Sequence, residues 1–254
     1  MLLLKKWNMN EKKIFGFHPV REALLGNKKP ERVFLRKGHD SPVAAQILQL
    51  AREYEIPVQF VPVEKLNKLA AGGNHQGVAA QYPGLDYVTL EEAVETAGKT
   101  TEWPLVLLLD GVSDVRNFGA IARTAECAGV GALILPAKGG AAVNEDAIRT
   151  SAGALLRIPT CRVPNLRTAV YFLKESGYTV IGTDAKGEDT IYRTNFKRPT
   201  ALVMGAEGAG ISRGIAGICD ALAAIPQLGE IGSLNVSAAT AVVLFEIVRQ
   251  RLML

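Results

Sequence analysis

The spacing of apolar residues changes along the chain, and the change divides it. In residues 14–81 short strand-like runs alternate with helix-like ones. Residues 33–35 and 58–61 are strand candidates. Between them Val43, Ile47, Leu48, Ala51 and Tyr54 fall on one face of a helix over 43–54. Ala71, Gly72, Gly73 and Asn74 read as a loop, and 77–80 as a short strand. A turn signal at Pro83 and Gly84, an acidic stretch at 91–95 and a polar run from Gly98 predict a linker with at most one helix. From Pro104 onward, short apolar runs at 105–109, 132–135, 179–181, 201–204 and 222–225 alternate with helical patterns. The helices are expected over 119–128, 144–156, 166–176, 211–219 and 235–251. Uninterrupted apolar strands between helices predict an α/β fold with a mostly parallel sheet covered on both faces. The expected domains are therefore 10–82, a linker over 83–103, and 104–254.

Composition narrows the class of protein. None of the apolar runs approaches the length of a membrane span, and the charges at Lys5 and Lys6 follow the apolar start, unlike a signal peptide. Met9 is an alternative start, because the sequence after it reads directly into structured material. Cys127, Cys161 and Cys219 are far apart and odd in number. That predicts a reducing, cytoplasmic setting with neither disulfide framework nor metal site, and three small buried side chains. Charge is uneven: residues 1–82 hold 13 Lys/Arg against 7 Asp/Glu, whereas the rest holds 16 against 18. A basic front on a near-neutral body fits either a nucleic-acid recruiting module or an unpartnered solvated surface.

Three loops at strand ends carry candidate chemistry. The first runs from Asp110 through Asn117 to Arg123; Asn117 stands where an N-cap belongs, and Arg123 is either a surface residue or a grip for an RNA phosphate. The second is Met204, Gly205, Ala206, Glu207, Gly208, Ala209, Gly210. Its glycines suit a tight turn or a close ligand approach, and a turn alone does not explain Glu207. The order is not that of a dinucleotide fingerprint, and no Walker lysine is present. The third runs from Ile225 and Gln227 to Ser233, Leu234 and Asn235, then Ser237 and small residues. Ser233 or Asn235 is placed to cap the last helix.

Together and in this order, the three loops resemble the motifs of the SpoU (TrmH-like) branch of the SPOUT methyltransferases, over residues 105–251. Residues 14–24, with His18 and Arg21, and 75–80 resemble that family's ribosomal-protein-like (L30e-like) substrate-binding domain. The resemblance implies a trefoil-knotted C-terminal domain, S-adenosylmethionine as cofactor, a homodimer, and methylation of an RNA ribose 2′-hydroxyl. It points most closely to a guanosine of large-subunit rRNA. A tRNA or a resistance-type rRNA substrate, and a non-catalytic RNA-binding protein, are the alternatives. Residue by residue, it assigns Gly205, Ile225 and Leu234 to the cofactor, joined by Thr183, Gly208 and Gln227. Asn117, Arg123, Glu207, Ser233 and Asn235 take the functional polar positions.

The histidines, His18, His39 and His75, all precede the expected linker, so a histidine base in the body is not expected. Arg123 is the family's candidate for activating the hydroxyl. Because guanidinium holds its proton, the expected role is stabilising the developing alkoxide and orienting the adjoining phosphate. Phosphate contacts are expected from Lys5, Lys6, Lys12, Lys13, Lys28, Lys29, Arg32, Arg36 and Lys37.

Overall fold

The computed structural model describes residues 12–26, 29–38, 41–82, 87–99, 101–185, 187, 189–230 and 232–253. Met9, Lys5, Lys6, Lys28, His39 and the turn at Pro83 and Gly84 lie outside them, as does the side chain of Lys12. The chain forms two compact units, 1–85 and 86–254.

In the first unit β1 (Lys12–Phe15), α1 (Phe17–Leu25), β2 (Arg32–Arg36), α2 (Pro42–Glu53), β3 (Val58–Val61), α3 (Val63–Leu69) and β4 (Val78–Tyr82) follow in order. The sheet order is β1-β4-β2-β3, with β4 antiparallel to both neighbours. α2 starts at Ser41, whose side chain accepts from Ala44 N, with Pro42 in its first turn. Its Ala44, Ile47 and Ala51 are buried, the face that the periodicity predicts. Leu66, Leu69 and Ala70, in and just after α3, close a small core against Phe15, Phe34, Val61 and Ala79.

The second unit begins with α4 (Leu90–Gly98), inside the stretch expected to be a linker. Thr89 and Glu92 form a capping box, and Ala93 and Ala97 are buried in the core of this unit. Val88 also bridges to Cys161. The polar appearance of this segment comes from its outer face; its inner face is alanine, which lets the helix lie close to the sheet. Gly131 allows this, since a Cβ there would lie 2.6 Å from the Ala97 Cβ.

The remaining elements are β5 (Leu105–Asp110), α5 (Val115–Cys127), β6 (Ala132–Pro136), α6 (Glu145–Thr150), β7 (Thr160–Val163), α7 (Leu166–Glu175), β8 (Thr179–Thr183), β9 (Asp189–Thr190), β10 (Thr200–Gly205), α8 (Arg213–Ala216), β11 (Ala221–Ala224) and α9 (Val236–Leu252). All seven strands are parallel, in the order β7-β6-β5-β10-β8-β11-β9. β5 is buried up to Asp110 and β10 throughout, as the continuous apolar runs require. Val106, Leu108, Ala201 and Val203 meet α4, α7 and α8 in one core layer. On the other side α5, α6 and α9 pack together, with α9 against β10.

Several boundaries differ from the pattern reading. The helix expected over 144–156 stops at Thr150, because Ala152 and Gly153 turn left-handed (φ 51° and 91°); a short 3-10 turn follows. The helix expected over 211–219 is four residues long, since Gly214 and Gly217 weaken it and Ile211 is buried in the preceding loop. Strands β7 and β9 went unpredicted: one carries Arg162 at its centre and the other has two residues. Cys161 is buried and Cys219 half-buried, their thiols pushed up to about 11 mainly by that burial. Cys127 departs from the expectation: it ends α5 on the solvent side and is exposed.

Candidate active site

The carboxyl ends of β8, β10 and β11 are adjacent, and the chain leaving each contributes a wall of one cleft of about 490 Å3. Thr183 ends β8, Gly205 ends β10, and Ile225 and Gln227 follow β11; Gly232, Ser233, Leu234 and the first turn of α9 complete it. A parallel α/β sheet offers its ligand site at this end of its strands. All six residues expected to hold the cofactor line the cleft: Thr183, Gly205, Gly208, Ile225, Gln227 and Leu234. Glu207 and Ser233 line it as well.

The loop after β10 is a closed hairpin. Ala206 N donates to Gly210 O (3.0 Å) and Gly210 N to Ala206 O (2.8 Å), which holds Glu207 at the exposed tip. Gly210 closes it in a left-handed conformation, φ 68°. Gly205 has a different reason to be glycine: a Cβ there would lie 2.0 Å from the Gly210 carbonyl carbon. The far leg is pinned by Asp110, whose Oδ2 accepts from Ser212 N at 2.8 Å. Nothing in the sequence around Asp110 marks this partner, because a strand-ending aspartate carries no signal of what it will bind.

Asn117 does not cap the helix. The helix N-cap is Asp114, whose Oδ1 accepts from Asn117 N at 2.7 Å, so Asn117 sits inside the first turn with its amide free for other work. Its Nδ2 donates to Glu207 Oε2 (3.2 Å), and its Oδ1 accepts from Asn235 Nδ2 (3.0 Å). Asn235 caps α9, accepting from Ser237 N (2.9 Å) and Ser237 Oγ (2.6 Å). The hydroxyl of Ser237, the two amides and the Glu207 carboxylate thus form one directional hydrogen-bond chain, every donor pointing toward the carboxylate. Ser233 does not cap; it is exposed at the cleft.

Arg123 stands apart from this cluster. It is exposed on α5 and makes no hydrogen bond or ion pair with any described residue. Two charged lining residues went unpredicted, Asp184 and Arg213; Met204, from the second candidate loop, also lines the cleft, and its thioether accepts from Thr183 Oγ1 at 3.4 Å. Arg213 lies in the helix that the sequence pattern made too long, so its place beside the Glu207 loop was hidden.

The cleft fits S-adenosylmethionine in size and chemistry. Its volume falls within the roughly 300–1,000 Å3 of small-molecule sites. Glycine backbone at Gly205 gives close approach, Ile225, Leu234 and Ala239 give apolar wall, and Asp184, Glu207 and Arg213 supply charges of both signs. A ligand with an adenine, a sulfonium, an ammonium and a carboxylate needs such a mixture.

Residues 104–245 match the SpoU rRNA Methylase family, and residues 13–88 match the domain described as RNA 2′-O ribose methyltransferase substrate binding. The chain is 39% identical over 241 residues to the 23S rRNA (guanosine-2′-O-)-methyltransferase RlmB of Pseudomonas aeruginosa, covering 94% of this chain and 96% of that one. It is 36% identical over 246 residues to the RlmB of Neisseria meningitidis, covering 96% and 97%. An AdoMet-bound rRNA methyltransferase from Sinorhizobium meliloti superposes with a TM-score of 0.78 at 26% identity, covering 96% of this chain and 88% of that chain. With its parallel sheet, its cofactor-sized cleft and both domains matched, the chain belongs to the SpoU family and is an S-adenosylmethionine-dependent RNA 2′-O-ribose methyltransferase.

Proposed function

We propose that the substrate is a guanosine ribose of large-subunit rRNA, methylated in the cytoplasm by a homodimer whose active sites each draw residues from both copies. The observation that carries the assembly is the isolation of Arg123, the residue assigned to the reacting hydroxyl, from the cleft-side cluster of its own chain.

S-adenosylmethionine supplies, when bound, an electrophilic methyl on sulfur. The chain must then align a ribose oxygen with it, exclude water and manage one proton. Gly205, Ile225 and Leu234 hold the cofactor through backbone and apolar contacts. Thr183, Gly208 and Gln227 complete the pocket. The trefoil knot belongs to this reading through family membership. Asn117, Asn235 and Ser237 hold the Glu207 carboxylate at the mouth of the cleft, where it accepts from an incoming hydroxyl. Ser233, on the wall of the same cleft, serves as a second hydroxyl partner. Arg123 stabilises the developing alkoxide and orients the neighbouring phosphate; its five donors and permanent charge suit both tasks.

The second copy is supported by α9. Val236, Val243, Leu244 and Ile247 are buried within the chain, yet Val242 (37%), Phe245 (50%) and Leu252 (77%) are exposed on its other side. A helix apolar on both sides asks for a second partner, and an identical helix across a two-fold axis is the simplest one.

The choice of RNA is tested by incubating the chain with labelled cofactor and with large-subunit rRNA, small-subunit rRNA or tRNA transcripts. Incorporation at one guanosine of the large-subunit RNA is expected. Saturating incorporation into tRNA alone would refute the substrate named here.

A further inference from the structure

The substrate-binding unit is not evenly built. From the strand pairings, β1, β2 and β3 finish, and β4 begins, at one end of its sheet: Phe15 is opposite Ala79, Leu35 opposite Val78, and Arg36 opposite Val61. Among the described residues, this end carries exposed Arg36, Lys37, Lys65 and Lys68 against the single acid Glu64. The opposite end mixes its charges, with Lys29, Arg32 and Arg52 among Glu31, Glu53 and Glu55.

The loops at the basic end are tied together by hydrogen bonds. Phe17 N donates to Gln76 Oε1 (2.9 Å) and Gly16 N to Val78 O (3.1 Å), clasping the start of α1 to the loop before β4. Gly77 N donates to His75 Nδ1 (2.9 Å), so the neutral ring carries its proton on Nε2 and donates it to Asn67 Oδ1 (3.0 Å). Burial and the nearby Arg36 charge both lower the His75 pKa, which keeps this clasp neutral. Ala71 (φ 47°) and Gln76 (φ 50°) adopt left-handed backbone without being glycine. Such strain is retained where the shape of a loop matters. His18, by contrast, is exposed, its ring set edge-on against Phe17 with centroids 5.1 Å apart.

We propose that this end of the unit is the RNA-docking surface, with Arg36, Lys37 and Lys65 taking phosphates and His18 presenting its ring to an unstacked base. The proposal rests on the RNA-substrate reading and adds to it which face of the unit engages. Cations and an exposed aromatic at the same end of one sheet suit a single-stranded or loop segment, which offers both backbone charge and base faces. Phe60 and Val63 are also exposed beside these charges, but the excess of cations over acids at this end favours the RNA over a protein partner.

The test compares two charge-matched double variants of the full chain, Arg36→Gln/Lys37→Gln and Arg32→Gln/Arg52→Gln, on unmodified large-subunit rRNA transcript across a salt series. For the first, the slope of log affinity against log salt should fall by about 1.4–1.8, and the KM for RNA should rise about tenfold or more. Its kcat and its Kd for S-adenosylmethionine should not change. The second should stay within about twofold of the unsubstituted chain. Arg32, one of the phosphate contacts expected from the sequence, is thereby taken out of that set and left on the mixed-charge end, where solvated charges contribute little. His18→Ala should lose about tenfold in affinity with the salt slope intact, and His18→Tyr should recover it. Equal losses in the two double variants, or none in the first, would overturn the proposal. Absence of RNA binding by the unsubstituted chain would overturn the functional reading and the proposal with it.

Discussion

Gly205→Ala is expected to weaken S-adenosylmethionine binding by about a hundredfold or more, whereas Gly208→Ala, three residues on, costs at most a few-fold. The two glycines differ in what surrounds them. An added Cβ at Gly205 would meet backbone, the Gly210 carbonyl carbon at 2.0 Å and Ile211 N at 2.2 Å. No rotamer relieves a clash between backbone atoms, so the Ala206–Gly210 bridge must open and the leg pinned by Asp110 must shift. That moves the wall of the cleft itself. At Gly208 nothing lies within 4 Å, and the only penalty is its left-handed backbone, φ 78°. That penalty is about 1–2 kcal/mol of local strain at an exposed tip. Titration calorimetry on both variants reads the difference directly. Equal affinities for the cofactor would show that the hairpin is not a wall of its site.

Arg123→Lys should lower kcat by about 10²–10³-fold while the Kd for S-adenosylmethionine stays within about twofold, since a lysine keeps the charge but loses the forked donors. Arg123 contributes nothing to the fold within its own chain: it is exposed, with no partner among the described residues, so its loss leaves stability unchanged. If each site is shared, mixing Arg123→Lys copies with Gly205→Ala copies should restore activity. One heterodimer site then pairs an intact cleft with an intact arginine, giving about a quarter of full activity in a random mixture of dimers. Subunit exchange is verified first by sedimentation of tagged copies. Dimers that exchange yet recover no activity would place Arg123 in its own chain's site.

How much of this was legible in the sequence follows from what each residue needs. β5 and β10 were readable because they are buried on both sides and leave unbroken apolar runs, whereas β7, with Arg162 at its centre, and the two-residue β9 leave none. The glycines of the loop after β10 were readable because a close ligand approach selects them at a strand end, whereas Thr183, Ile225, Gln227 and Leu234 were placed by the resemblance to the family's motifs. Asn117 shows the limit. Asp114 and Asn117 are both competent caps, and local sequence does not choose between them. The choice is made by partners 90 and 118 positions away, Glu207 and Asn235, which no periodicity reveals. α4 shows another limit: its alanine face looks weakly apolar until Gly131 brings the sheet against it. The isolation of Arg123 is likewise a property of the folded chain, visible only once its neighbours are known.

That this cleft delivers a methyl group to a ribose oxygen is checked by incubating the protein with large-subunit rRNA and isotopically labelled S-adenosylmethionine, digesting the RNA to nucleosides and locating the label by mass spectrometry. The label should be on the ribose of guanosine, in a nucleotide whose 3′ phosphodiester resists alkaline hydrolysis because its 2′-oxygen is blocked. Label on a base, with the neighbouring linkage still cleaved by alkali, would contradict the account.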